Sequence, residues 1–124
     1  MAEETGSLTD EEKYETTYHY FVKALRVMAA DARTQCKLMG NINVAWELQH
    51  DVTDGGTALL NLPVGNLTEL QKEYVRKFIA QVNNLPKAIL VAASSAIANE
   101  KAMNDPSWAQ LREDASRLIL YLAR

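Results

Sequence analysis

Residues Ala88 to Asn99 make a run of twelve uncharged residues, apolar or small on nearly every side. An element without a polar face has to be enclosed by its neighbours, and twelve residues fall well short of the roughly 18 to 20 that span a bilayer. Pro86 stands just ahead of the run, and proline suits the first turn of a helix, where its missing N–H is not needed. The run therefore predicts a buried helix over about 86–103. The remaining helical segments each show one apolar face. Enclosing such an element with one-faced helices predicts an all-α fold, a compact antiparallel bundle of four or five helices with 86–103 at its centre. Ala88, Ala92, Ala93, Ser95 and Ala96 would allow close helix approach, and any side left bare would be a contact for a second copy.

The other segments are read from caps and periodicity. Thr9 followed by Glu12 is a capping box. After it, Tyr14, Tyr18, Phe21, Leu25, Met28, Ala32, Cys36 and Met39 lie within an arc of roughly 80°. This predicts one long helix ending near Gly40. A second helix is expected over Ile42–Val52, on the spacing of Val44, Leu48 and Val52, or as a continuation of the first. Thr53-Asp54-Gly55-Gly56 reads as a loop by composition, and Ala58 to Val64 as at most a short helical turn. Asn66 with Glu69 predicts the next cap, followed by the stripe Leu67, Leu70, Tyr74, Phe78 and Val82. Asp105-Pro106 opens a last helix with Trp108, Leu111, Ala115, Leu118, Ile119 and Leu122 on one face. No segment reads as a strand.

At 124 residues the chain suits one domain, divided into a flexible acidic segment over 1–8 and a helical domain over 9–124. Six acids (Glu3, Glu4, Asp10, Glu11, Glu12, Glu15) against Lys13 give residues 1–15 a charge of −5, and the total of −3 leaves +2 for the rest. That balance shows no basic excess of the kind that marks a nucleic-acid or anionic-membrane binder. The single cysteine, Cys36, cannot form an internal disulfide, and the N-terminus lacks the apolar core of a secretory signal; a cytoplasmic protein is expected.

The catalytic inventory is thin. Glu47-Leu48-Gln49-His50 has the E-x-x-H form used by di-metal helical bundles, but such sites need a second copy of the motif, and Thr16 stands three residues before the only other histidine, His19. Glu47 and His50 are kept as an alternative metal pair only; no cofactor is expected. His19, spaced with Glu15 and Lys23, reads as part of a solvated face. Ser94 and Ser95 lack a nucleophile-elbow context, and Cys36 reads as a small core hydrophobe. Asp54-Gly55-Gly56 is not a phosphate loop, because no lysine follows the glycines.

The first helix offers more. Tyr20, Ala24 and Val27 lie outside its main stripe and make a second, weakly apolar strip with an aromatic anchor, for which Arg26 and Asp31 could form a polar rim. Lys23, Arg26, Arg33 and Lys37 share an arc of about 80° beside the stripe, preceded by Glu12 and Glu15, without the stacking aromatics that single-stranded nucleic acid needs. The expected partner-binding residues are therefore Tyr20, Val27, Arg26, Asp31, Glu12 and Glu15. The expected function is a small non-enzymatic protein-binding module, an inhibitor or neutralising protein that covers a partner's functional surface. Bacterial and phage immunity proteins and antitoxins supply an architectural analogy. The expected partner is another protein with a basic surface, with neither nucleic acid nor membrane involved. The alternatives are a small-ligand or metal carrier using the bundle interior, and a structural subunit that self-associates, with a homodimer as its simplest form.

Overall fold

The structure is a computed structural model that describes residues 8–40, 43–91 and 95–123. The described residues form seven helices and no strand: α1 (Asp10–Ala29), α2 (Ala32–Met39), α3 (Val44–Asn61), α4 (Glu69–Asn83), α5 (Lys87–Leu90), α6 (Ala96–Met103) and α7 (Ser107–Leu122). The chain is all-helical, as its periodicity requires, with more and shorter elements than the four or five expected. Of the expected N-terminal acidic segment, residues 1–7 lie outside the described residues.

The four long helices close a ring in which α1 packs on α3 and α7, and α4 packs on the other sides of α3 and α7. Neighbours run antiparallel. Tyr18 Oη donates to the Leu122 carbonyl at 3.1 Å, while Arg112 Nε near the start of α7 donates to the Ala30 carbonyl beyond the end of α1, also at 3.1 Å. Gln49 Nε2 donates to the Val82 carbonyl and Gln71 Nε2 to that of Tyr121, which pairs early α3 with late α4 and early α4 with late α7. The apolar stripes converge inside this ring, where Phe21, Leu25, Val52, Val75, Val82, Trp108 and Ala115 are buried.

The short helices α2, α5 and α6 gather around the corner where α1 ends and α3 begins. The segment 86–103 is thus neither one helix nor the centre. Ser95 has an extended backbone (φ −77°, ψ 154°), and its hydroxyl accepts from the Ala98 amide at 3.1 Å, so it starts a new helix. Val91 and Ile97 are 76% and 83% exposed. The physical reason is that a run of alanines and serines is apolar all round without having much area to bury, and serine caps a helix better than it continues one. Asn99, by contrast, is buried, and its Oδ1 accepts from the Val44 amide at 3.1 Å, fixing α6 against the first turn of α3.

Three further expectations are corrected. The first helix does not run to Gly40: the chain turns at Ala30–Asp31, where Asp31 is extended and its carboxylate accepts from the Thr34 amide at 2.8 Å. Gln35, fully buried, donates from Nε2 to the Met28 carbonyl, so carbonyls freed by the break are paired by Gln35 and Arg112. Gly40 ends α2 instead, at φ +79°, in the left-handed region that glycine tolerates. The expected loop at Thr53–Gly56 is helical and lies inside α3, whose opening at Val44 is capped by Asn43; Ile42, the expected start, lies outside the described residues. A Cβ on Gly56 would stand 2.6 Å from Ile79 Cδ1 and 3.0 Å from Phe21 Cε1, so the residue serves close packing of α3 against α1 and α4 rather than a turn. Finally, α4 is capped by Thr68 and Gln71 in a reciprocal box, not by Asn66 and Glu69.

Candidate functional site

The break between α1 and α2 creates the most distinctive surface of the molecule. Because α2 departs at Asp31 instead of prolonging α1, its last turn comes back beside α1 and α3, and an open groove of about 800 Å³ is left between the three. Tyr20, Ala24 and Val27 of α1 meet Leu38 and Met39 of α2 and Leu48 of α3 along it, and Gly55 of α3 lines it too. Tyr20 and Leu38 are both 63% exposed, whereas Leu48 is buried, so the groove has an apolar floor with two large apolar side chains standing open at its edge. Isolated exposed apolar residues are unremarkable; several converging on one concavity are the usual mark of a recognition surface.

Its polar groups are segregated. Lys23 and Arg26 line the groove from α1, and Asp51 lines it from α3. Partial burial, followed by repulsion from Glu47 and Asp54, pushes the Asp51 carboxyl above its ordinary value, with His50 acting weakly in the opposite sense. One wall is therefore cationic and the other anionic. Lys23, Arg26, Glu47, Asp51 and Asp54 form no ion pair among the described residues. On α4 and α7 the pattern differs: Lys72 pairs with Glu69, Arg76 with Glu73, and Arg117 with Glu113 and Asp114, each within its own helix.

Of the residues expected to bind a partner, the structure brings Tyr20, Arg26 and Val27 into this groove. It does not bring Asp31, Glu12 or Glu15 there. Asp31 is the N-cap of α2, and hydrogen bonds from the Thr34 amide and hydroxyl hold its carboxyl below the ordinary value. Glu12 reaches back to the Thr9 amide at 2.8 Å to complete the capping box. Glu15 lies beside Tyr14, Tyr18 and Asn66 on a small cleft of about 200 Å³ at the far end of α1. The basic arc of Lys23, Arg26, Arg33 and Lys37 is divided by the turn at Asp31, since its first two members belong to α1 and its last two to α2.

Leu38, Met39, Leu48, Asp51 and Gly55 were not expected in the site. Their spacing on α2 and α3 carries no signal for it, because the groove exists only once the chain has turned back on itself. For Leu38 a faint signal was present: it is a large apolar residue off the stripe marked by Cys36 and Met39.

The alternative metal pair, Glu47 and His50, has no third His, Cys, Asp or Glu gathered with it among the described residues. His50 Nδ1 lies 2.9 Å from the Trp46 carbonyl and the imidazole rests on the Trp46 ring with centroids 3.8 Å apart, so the ring is held along its own helix. Among the described residues no three His, Cys, Asp or Glu side chains converge as a metal set would. His19 is exposed beside Tyr20, Ser95 is a cap, and Ser94 lies outside the described residues. Cys36 is partly buried, and that burial, with Glu100 nearby, pushes its thiol up and away from the reactive thiolate. A second groove of about 470 Å³ between α4 and α7 holds the stacked pair Tyr74–Tyr121, with Lys77 and Arg117 at its edge. No helix among the described residues is long and apolar enough to cross a membrane. Comparison of the chain with known protein families, with curated proteins and with solved structures finds no match.

Proposed function

We propose that this chain is a non-enzymatic protein-binding module, acting as an inhibitor or neutralising protein that covers a partner's functional surface. The observation that supports it is the α1–α2–α3 groove, where exposed Tyr20 and Leu38 flank an apolar floor and where the charges of both walls form no ion pair among the described residues. An aromatic anchor beside an apolar depression, rimmed by separated charges, is the arrangement from which interface hot spots are built. The charges would chiefly set association rate and partner choice, with the apolar contacts supplying most of the affinity.

Site-specific photo-crosslinking in the native host tests the reading. A photoreactive phenylalanine analogue at position 20 or 38 should give the same discrete protein adduct. The same group at position 120, where Leu120 is comparably exposed on α7, should not. Absence of an adduct at 20 and 38, or equal labelling from 120, would overturn it.

A further inference from the structure

We infer that the occupant of the α1–α2–α3 groove is two turns of an amphipathic helix from a partner protein, with one flank acidic and the other basic; this rests on the protein-binding reading above. The first argument is size. The α1 wall runs from Tyr20 to Val27 and the α3 wall from Leu48 to Gly55, each spanning eight residues, or about 10 Å of helix. That length accepts two helical turns. Ten residues line the groove, whereas a stable interface between two globular copies uses about 20 to 30 on each side, so a second copy of this chain is the poorer fit.

The second argument is the segregation of charge. A helix lying between α1 and α3 would set its apolar stripe on Ala24, Val27, Met39 and Leu48. One flank would then face Lys23 and Arg26, and the other would face Asp51, backed by Glu47 and Asp54. Acids belong on the first flank and bases on the second. A base there would also relieve the repulsion among the three carboxylates. Reversing the direction of a helix exchanges its flanks, so a partner of given sequence can satisfy both walls in one polarity only. This is how a short groove would select both partner and orientation. An extended peptide points alternate side chains at the floor and at solvent, and so would leave none directed at the two charged walls.

Synthetic peptides of about 14 residues, titrated into the isotopically labelled full chain with amide shifts as readout, test this. The first peptide is stapled as a helix, with leucines at i, i+4 and i+7, glutamates on one flank and lysines on the other. The second has the same composition with central prolines that forbid a helix. The first should shift amides in Tyr20–Val27, Leu38–Met39 and Leu48–Gly55 and bind at least about tenfold more tightly than the second. The double variant K23E/R26E should weaken the stapled peptide about tenfold, and a stapled peptide with lysines on both flanks should restore binding to that variant. Equal binding of the two peptides in the groove, or indifference to K23E/R26E, would overturn the helical occupant while leaving the protein-binding reading intact. Shifts elsewhere, or none, would also overturn the helical occupant. Crosslinking at positions 20 and 38 then judges the protein-binding reading separately.

Discussion

Arg112 shows how one side chain can hold two distant corners together. Its guanidinium donates from Nε to the Ala30 carbonyl and from a terminal nitrogen to the Met103 carbonyl, so it ties the α1–α2 turn to the end of α6. Hydrogen bonds to a charged group contribute about 1.5 to 3 kcal/mol each, and the two carbonyls left behind would be only partly hydrated. Arg112→Met should therefore lower unfolding free energy by about 2 to 4 kcal/mol in urea titrations. Arg112→Lys should recover less than half, because a single ammonium lacks the fork that spans two acceptors. The adjacent glycines of α3 make a sharper pair. Alanine at position 55 would meet Phe21 Cδ1 at an ordinary 3.5 Å, whereas at position 56 it would meet Ile79 and Phe21 at 3.0 Å or less. Both gain about 1 kcal/mol of helix propensity, but overpacking costs about 1 to 3. Gly55→Ala should raise the denaturation midpoint and Gly56→Ala should lower it.

At the level of the element, the break after α1 has a chemical cause that can be removed. The Asp31 carboxylate replaces the amide partner lost where α2 begins, and hydrogen bonds from Thr34 lower its titration; Asp105 does the same for Ser107 ahead of α7. A carboxyl lowered in the folded state contributes stability that is present above its unfolded value and is lost as pH falls through the folded value. Acid should thus loosen these two helix starts, and Asp31→Asn should keep the α2 cap while reducing its pH dependence. Asp31→Ala should speed hydrogen exchange of the Thr34 and Gln35 amides and leave mid-α1 amides unchanged; equal acceleration of both would show that α1 and α2 open as one unit. The Thr9–Glu12 box and the apolar stripes of α1 and α7 were legible in the sequence because they are local, involving residues three or four apart; on α4, Leu70 of the expected stripe is exposed and Val75 is buried instead. The break at Asp31 was not, since Ala32, Cys36 and Met39 keep the helical spacing of the stripe before them. Besides the Asp31 cap, the break rests on the pairing of the Met28 carbonyl by Gln35 and of the Ala30 carbonyl by Arg112, 82 residues away.

For the whole molecule, the division between a ring of four long helices and a cluster of three short ones predicts uneven stability. Amides of α5 and α6, exposed around Val91 and Ile97, should exchange through local opening well before those of α3 and α7, which surround fully buried Val52 and Trp108. Uniform protection would show that the cluster unfolds only with the ring. The groove lies where ring and cluster meet, and its α2 wall belongs to the less anchored part. Sequence alone determined the helical class, the capping box of α1 and the second apolar strip on α1, because helix periodicity and capping act over a few residues. Tertiary structure decided where the centre lies, that Gly55 and Gly56 pack rather than turn, and that Tyr20, Arg26 and Val27 share a groove with Leu38 and Asp51. Those outcomes depend on which carbonyl finds which donor and which backbone approaches which, and such pairings join residues that the chain order keeps far apart.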